Sequence, residues 1–412
     1  MRIGIYLSFL LAGPLIAQDK PDPKKFKPNP LVDQKTVDEA IRKGLEFLKT
    51  SDSPPGAGSA NSNELKLLTF IHGGLTEKDP TVEILLAVCL ESKLERTYNV
   101  SLLAMCLEEL DRVKYQGKIA QCAQFLIDNL RADGGFTYGE PTVYADGIPT
   151  TAPRKDTASG GAKNAGDAPA PGEKEKPKVQ RTLSVKKAKE GPAQRSDNSN
   201  SQYGALGMRA CHDAGIIFPK EWVEKARAYW LANQHGGEKG KDDTSVATGG
   251  VIPLGTPRGW CYDDGDGNAC GHGGQPYGSM TAGAIGAVCI FDYMLKKDWK
   301  RDKAVLDGLA WLDKHWSVKE NGPEPETARG SKTGWLYYYL YAIERTGMLY
   351  DTAFIGNHDW YLDGARELLA AQAANGSWDA SHFKKPTWDT CFAILFLKRA
   401  TRRLVATGGG KK

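Results

Sequence analysis

The residues best suited to chemistry lie in one polar loop, residues 261–270, which holds three aspartates within four positions. Those aspartates are Asp263, Asp264 and Asp266. Two cysteines bracket the loop and could close it as a disulfide, Cys261 and Cys270. A pair of carboxylates, or a carboxylate with a histidine, can cleave a glycan, and Asp389 or His272 could complete such a group.

The same loop begins like a calcium-binding loop. Asp264, Asp266 and Asn268 alternate as the first calcium ligands do. The glycine expected next is Ala269, and the closing position, where a glutamate is needed, is Gln275. The calcium pattern is therefore incomplete, and the acid–base hypothesis for the same carboxylates stands beside it.

The spacing of apolar residues predicts that the rest of the chain, which must position these groups, is helical. Some stretches are apolar on one face only, and others are apolar nearly all round, which requires burial. Pairing them in chain order gives six hairpins: 36–50 with 63–73, 79–93 with 96–110, 116–130 with 200–215, 219–234 with 276–295, 301–316 with 333–348, and 357–373 with 387–403. The sequence predicts an all-α fold, a single α/α toroid of six outer-plus-inner hairpins over residues 36–404.

In a toroid the N-termini of the inner helices converge on one mouth, where free backbone N–H groups gather. Aromatic and polar residues stand at or near these starts: Tyr98, Asn99, Ser201, Gln202, Trp260, Tyr277, Trp335 and Trp388. Rings interleaved with amides and hydroxyls suit a sugar or an amphiphilic ligand. Helix capping by the polar groups and packing of the rings inside the toroid would explain the same residues. Ligand binding and a purely structural role therefore both remain hypotheses.

A short motif recurs where outer helices end. The segment Gln372-Ala-Ala-Asn-Gly376-Ser-Trp378 reads Gln-x3-Gly-x-Trp, and degenerate copies precede it, among them Gly134-Gly135-Phe136 and Gly259-Trp260. The motif resembles the repeat of the squalene/oxidosqualene cyclase and protein prenyltransferase superfamily. The chain is also similar to secreted, uncharacterised bacterial proteins that carry this repeat. The resemblance covers most of residues 36–403 and implies an α/α toroid.

Little of that superfamily's chemistry carries over. Squalene-type cyclases protonate an alkene with an Asp-x-Asp-Asp motif in an apolar cavity, whereas residues 263–266 are hydrophilic and ordered differently. Prenyltransferases hold zinc with an aspartate and a cysteine two positions apart, as Asp389 and Cys391 are, together with a histidine that the segment 63–65 lacks. These two residues are thus weak metal candidates. We expect neither a bound metal nor a cofactor.

Four further segments flank or interrupt the predicted toroid. Residues 1–17 have the charged start and apolar run of a signal peptide, which predicts a secreted or periplasmic protein. Residues 18–35 form a Pro/Lys-rich lead-in predicted to be disordered, and 405–412 a flexible tail. Residues 138–198 are predicted to be a disordered low-complexity insertion. After leader removal, no segment is long and apolar enough to cross a bilayer.

Composition narrows the function. The chain has 412 residues and a formal net charge of only +4, which does not indicate a nucleic-acid-binding protein. We predict an exported toroid, without polycyclase activity, that binds a small-molecule, glycan or protein ligand at its mouth. One alternative is a carbohydrate-active hydrolase or lyase that uses the Asp263–Asp266 loop. A second alternative is retained terpenoid or prenyl chemistry.

Overall fold

The computed structural model describes residues 32–51, 62–142, 176–179, 181–235, 255–263, 275–322, 334–379 and 386–404. These ranges contain twelve α-helices: α1 Gln34–Thr50, α2 Ser62–Gly73, α3 Pro80–Glu91, α4 Thr97–Asp111, α5 Gln116–Asn129, α6 Asn198–Asp213, α7 Lys220–Ala232, α8 Gly278–Met294, α9 Lys303–Lys314, α10 Leu336–Tyr350, α11 Trp360–Ala371 and α12 Pro386–Lys398. The fold is therefore all-α, as predicted. None of the described helices is long and apolar enough to span a bilayer.

Two pairs of very short strands accompany the helices. Strand β1 (Leu183–Ser184) pairs parallel with β2 (Ile216–Ile217), and β3 (Phe354–Ile355) pairs antiparallel with β4 (His358–Asp359). Each strand has two residues, which is too short to carry the period-two alternation by which a strand is recognised in a sequence.

Helix α1 begins at Gln34, two residues before the predicted start at Thr36. The cause is Asp33, whose carboxylate accepts hydrogen bonds from the backbone N–H of Thr36 at 3.0 Å and from its hydroxyl at 2.6 Å. An aspartate in this position satisfies N–H groups that the first turn leaves unpaired. The buried face of α1 is the apolar stripe of the sequence pattern: Val37, Ala40, Ile41, Gly44, Leu45 and Leu48.

The even-numbered helices form the centre of the molecule. In α8, every residue from Gly278 to Asp292 is buried. Each even-numbered helix contacts the next in the order α2, α4, α6, α8, α10 and α12, and α12 also contacts α2. Each odd-numbered helix packs on one or two of these, so α1 contacts both α12 and α2.

Three similar turns connect an odd-numbered helix to the even-numbered helix that follows. In each turn an aromatic residue donates its backbone N–H to a hydroxyl oxygen in the first turns of the next helix. The three pairs are Phe136 with Ser201 at 2.9 Å, Trp260 with Thr281 at 3.1 Å, and Trp378 with Thr390 at 3.0 Å. Because all of these groups are buried, each bond fixes where an even-numbered helix starts relative to its turn.

The turn at Trp378 seats on α1. The Gln372 side-chain amide donates to the Ala40 carbonyl oxygen at 2.8 Å, and the Trp378 indole N–H donates to the Leu368 carbonyl oxygen at 2.8 Å. Gly44, one turn after Ala40, makes room for the indole, because a Cβ atom there would lie 2.9 Å from the ring. The last hairpin is thereby joined to the first.

Helix α9 receives the turn at Trp260 in the same way. The Gln234 amide donates to the Ala304 carbonyl oxygen at 2.9 Å, and Gly308, one turn later, approaches the Trp260 ring as closely as Gly44 approaches Trp378. Two distant parts of the chain therefore use one set of contacts. This set is the structural form of the repeated sequence motif.

Part of the predicted disordered insertion is docked on α5. The Lys187 ammonium donates to the carbonyl oxygens of Ile127 at 2.9 Å and Leu130 at 2.5 Å, and the Ala188 N–H donates to Asp128 Oδ1 at 2.8 Å. Residues 181–198 are thus a docked segment, which differs from the predicted disorder. The physical reason is that the end of α5 offers carbonyl groups without helical partners.

The aromatic turns should be tested by removing one acceptor. Thr390→Val keeps the shape of the side chain but leaves the buried Trp378 N–H without its acceptor, which should cost about 1–3 kcal/mol of unfolding free energy. Thr50→Val, on the exposed face of α1, should stay within about 0.5 kcal/mol of the wild type. Urea unfolding curves measure both. Equal effects of the two substitutions would contradict the role given to the turn.

Candidate functional site

The first turns of the even-numbered helices lie together at one end of the molecule. Asn99 at the start of α4 donates to Glu64 Oε2 at the start of α2, at 2.9 Å. The ring of Trp335, which precedes α10, stacks on Trp388 in the first turn of α12, with 6.1 Å between ring centroids. Helix α6 joins this group through Ser199.

Three hydroxyl groups meet at this end, one each from α4, α6 and α10. Tyr98, Ser199 and Tyr338 share hydrogen bonds; the Tyr98 and Tyr338 oxygens are 3.2 Å apart, and so are those of Ser199 and Tyr338. Burial raises the pKa of both phenols above its usual value. The three groups, here called the hydroxyl cluster, are therefore neutral at neutral pH, so they can both donate and accept hydrogen bonds.

Five partly exposed rings lie at this end, one of them Tyr98 of the hydroxyl cluster, and we call them the aromatic mouth: Tyr98, Tyr138, Tyr262, Tyr277 and Trp335. Tyr138 is 55% exposed, and its hydroxyl lies 3.3 Å from that of Tyr262. The Tyr138 carbonyl oxygen accepts the N–H of Thr97, next to Tyr98, at 2.9 Å. The mouth thus presents ring faces beside hydroxyl groups.

Trp335 has an unusual backbone at the edge of this mouth. Its φ of 60° is a left-handed conformation that bulky residues rarely adopt. The conformation directs the ring between Trp388 and Tyr338, whose centroid is 6.2 Å away. Such backbone is found at binding sites more often than elsewhere, since surrounding contacts must hold it.

Asp263 lies beside Asp197, a carboxylate that the sequence analysis did not single out. Asp197 caps α6 and accepts from the backbone N–H of Asn200 at 2.7 Å and from its amide at 2.8 Å. Burial, with the nearby charge of Asp263, raises the pKa of Asp197 to about 6. The partners predicted for Asp263 were Asp389 and His272, and of these His272 lies outside the described residues.

Glu64 is a second acid at this end that sequence reasoning missed. It is buried at the start of α2 and accepts the Asn99 amide. Burial raises the pKa of its carboxyl to about 7. A single acidic residue in an apolar helix start carries no motif, so only the packed structure identifies it.

Buried side chains of α6 and α10 pack against one another near the hydroxyl cluster. Arg345 is fully buried, and its Nη2 donates to Gln202 Oε1 at 2.8 Å. Its guanidinium carbon lies 4.3 Å from the ring centroid of Tyr341 and 5.6 Å from that of Tyr203. The π faces offset the buried positive charge. Gln202, predicted as a ligand-binding residue, is therefore engaged with Arg345.

Two other predicted ligand-binding residues hold the aromatic turns. Trp260 is completely buried, and its indole N–H donates to the Trp230 carbonyl oxygen at 2.8 Å. Ser201 is buried and accepts the Phe136 N–H. The structure thus places both in the packing beneath the mouth.

The weak metal candidates lie in the first turns of α12, and both are buried. Burial raises the pKa of the Cys391 thiol to about 12. Asp389 lies near Tyr337. Burial is the main cause of the raised pKa of the Tyr337 phenol, and the charge of Asp389 is the second cause. Within the described part of the chain, no three His, Cys, Asp or Glu side chains form a group able to hold a metal.

Several predicted residues lie outside the described ranges: Asp264, Asp266, Cys270 and His272. Cys261 is disulfide-bonded. Its pairing with Cys270 remains a prediction. The predicted leader 1–17, most of the lead-in 18–35 and the tail 405–412 also lie outside.

Two residues of the aromatic mouth were not predicted from the sequence, although their positions in the repeated motif could have identified them. Tyr138 and Tyr262 each stand two positions after the aromatic residue of a repeated turn, Phe136 and Trp260. Aligning the turns would have selected both tyrosines.

Comparison of the chain with protein-family models and with curated proteins found no match in either case.

The raised pKa of Glu64 predicts a pH-dependent stability. The Glu64 carboxyl has a pKa of about 7 in the folded state, compared with 4.5 as its ordinary value in the unfolded chain. The folded state therefore holds this proton more tightly, which stabilises the fold fully below about pH 4.5. This stabilisation is lost as the pH rises through 7. Glu64→Gln should therefore match the wild type at pH 5 and exceed its melting temperature at pH 8. Glu46→Gln on the exposed face of α1 is the control. A Glu64→Gln difference that is constant with pH would contradict this.

Proposed function

We propose that this chain is an exported α/α toroid of the squalene cyclase and prenyltransferase repeat type that binds a glycan at the aromatic mouth. Two observations support the toroid: the cyclic order of contacts among the even-numbered helices, and the equivalent seating of the Gln372 turn on α1 and the Gln234 turn on α9. The signal-peptide pattern of residues 1–17 supports export to the periplasm or the medium.

The aromatic mouth is the observation that carries the proposed ligand. A sugar ring has an apolar C–H face and a rim of hydroxyl groups. Trp335 and Tyr138 offer flat apolar faces, while Tyr98 and Ser199 offer hydroxyls that both donate and accept. Aromatic walls with a few placed polar groups are the usual lining of a small-ligand site.

Arg345 argues against polycyclase chemistry at the centre. Protonating an alkene creates a carbocation, which needs an apolar cavity and negative or π density around it. The described residues place a permanently charged guanidinium there, and repulsion between two positive charges in a poorly solvated interior is strong.

Binding is tested with soluble oligosaccharides of six β-1,4-linked glucose, xylose or N-acetylglucosamine units, by calorimetry and tryptophan fluorescence. One of them should bind the wild type, and Trp335→Ala should weaken that binding at least about tenfold, the loss expected of an aromatic anchor. Trp222→Ala, a half-buried tryptophan on α7, is the matched control and should bind as the wild type does. Loss of binding in both variants, or binding of none of the three, would refute the proposal.

A glycan hydrolase or lyase at the same mouth is the second candidate, and the Asp197–Asp263 pair favours it. The two carboxylates interact electrostatically, and the pKa of Asp197 near 6 keeps part of that acid protonated near neutral pH. Glycan hydrolysis uses two carboxyl groups, one of which is held protonated as the general acid. Tyr262, next to Asp263, belongs to the aromatic mouth.

Reducing-end release from the bound oligosaccharide tests this candidate. Asn caps helices as well as Asp does, so Asp197→Asn should keep the fold and the binding while lowering the rate by about 100-fold or more. Asp359→Asn, which replaces the cap of α11, controls for cap exchange and should leave the rate unchanged. Binding without any release by the wild type would exclude the enzyme and leave the binding protein.

A further inference from the structure

Arg345 is a fully buried cation that forms no ion pair with a carboxylate in the described part of the chain. Its Nη2 donates to a neutral group, the Gln202 amide oxygen, at 2.8 Å. The rings of Tyr203 and Tyr341 lie against the guanidinium. Contacts with ring faces recover only part of the hydration that a charged group loses on burial. Most of the positive charge therefore still needs a counter-charge.

The acid next to Arg345 in the chain, Glu344, is directed elsewhere. Its carboxylate accepts the backbone N–H of Thr401 at 2.9 Å and the Thr401 hydroxyl at 2.7 Å, on the segment after α12. Burial raises the pKa of the Glu344 carboxyl to about 7, so this acid is partly protonated near neutral pH. Glu344 therefore offsets only part of the buried charge.

Three donors at the guanidinium have no hydrogen-bond partner among the residues that the structure describes: Arg345 Nη1, Gln202 Nε2 and the Tyr203 hydroxyl. Because a guanidinium can only donate, it fixes the Gln202 oxygen toward Arg345 and leaves the NH₂ group to donate elsewhere. The Tyr203 hydroxyl cannot donate to Arg345 for the same reason, and burial raises the pKa of this phenol, so it keeps its proton. Buried donors without an acceptor are rare, and all three need a partner that accepts.

The surrounding helices hold these donors in place. A Cβ atom at Gly283 on α8 would overlap Gln202 Oε1, so a glycine there leaves room for the amide. The guanidinium carbon lies 4.3 Å from the ring centroid of Tyr341 and 5.6 Å from that of Tyr203. The looser side of the guanidinium is therefore the one that faces Tyr203, whose hydroxyl lacks an acceptor.

We propose that this group is a binding site for a chloride ion, which accepts hydrogen bonds from Arg345 Nη1, Gln202 Nε2 and the Tyr203 hydroxyl. Chloride supplies the missing negative charge and is little larger than a water molecule. A water molecule would leave the charge unpaired and bring protons that need acceptors of their own. The site is independent of the glycan proposal, since it uses none of the five rings of the aromatic mouth. An ion pair is no apolar cavity, so the argument against polycyclase chemistry is unchanged.

Chloride should stabilise the folded chain by binding to it. Replacing sodium gluconate, whose anion is too large for the site, with sodium chloride at constant ionic strength should raise the melting temperature saturably, by about 3 °C. Tyr203→Phe removes one donor but keeps the ring, and should weaken the apparent affinity for chloride about tenfold. Tyr339→Phe, at another fully buried tyrosine of α10, is the matched control and should keep the wild-type affinity.

Arg345→Met removes the charge and should abolish the chloride effect, whatever the melting temperature of this variant in gluconate. A wild type that does not respond to chloride would overturn the site. So would a Tyr203→Phe variant that responds to chloride as Tyr339→Phe does.

Crystals of the wild-type chain grown in sodium bromide provide a test that needs no variant. Bromide scatters anomalously, so diffraction data at the bromine edge should show a peak within hydrogen-bond distance of Arg345 Nη1 and the Tyr203 hydroxyl. A water molecule in this place, without anomalous signal, would overturn the proposal. Bromide peaks only on the surface would show an adventitious ion only and would overturn it equally.

Discussion

The contacts on which the structure most depends are those of two aromatic turns, at Trp378 and Trp260, with the odd-numbered helices α1 and α9. The Gln372 amide and the Trp378 ring fix α12 against α1, while the Trp378 N–H fixes the start of α12 through Thr390. The side chains at that start are thereby positioned too. Trp388 lies two residues before Thr390, so the stacking partner of Trp335 is set by a hydrogen bond in the packing beneath it.

The helices could be predicted from the sequence because burying one side of a helix requires apolar residues at the helical spacing of 3.6 residues. All twelve predicted helices are present, and the largest difference at an end is at α12, which finishes at Lys398 instead of 403. Their contacts with one another follow from the same apolar stripes. The acid beside Asp263 could not be predicted, because Asp197 and Asp263 are brought together by two loops whose lengths say nothing about where they fold back.

Charged residues inside apolar helices were the other source of missed features. Arg345 is a single cation in a tyrosine-rich helix, and its role becomes visible only when Tyr203 and Tyr341 are seen to flank it. The insertion shows a related effect. Its composition is that of a disordered segment, yet Lys187 and Lys176 each reach acceptors on the helices, and two well-placed lysines are too few to change a compositional average.

The seating of Gln372 on Ala40 joins residues 332 positions apart, and this separation has a consequence for folding. Contacts between residues so distant in the chain form late, because the chain entropy lost in closing the loop is regained only when the whole interface assembles. Until α12 arrives, the apolar sides of α1 and α2 that it covers face water. A chain interrupted before α12 therefore exposes these surfaces and is prone to aggregate.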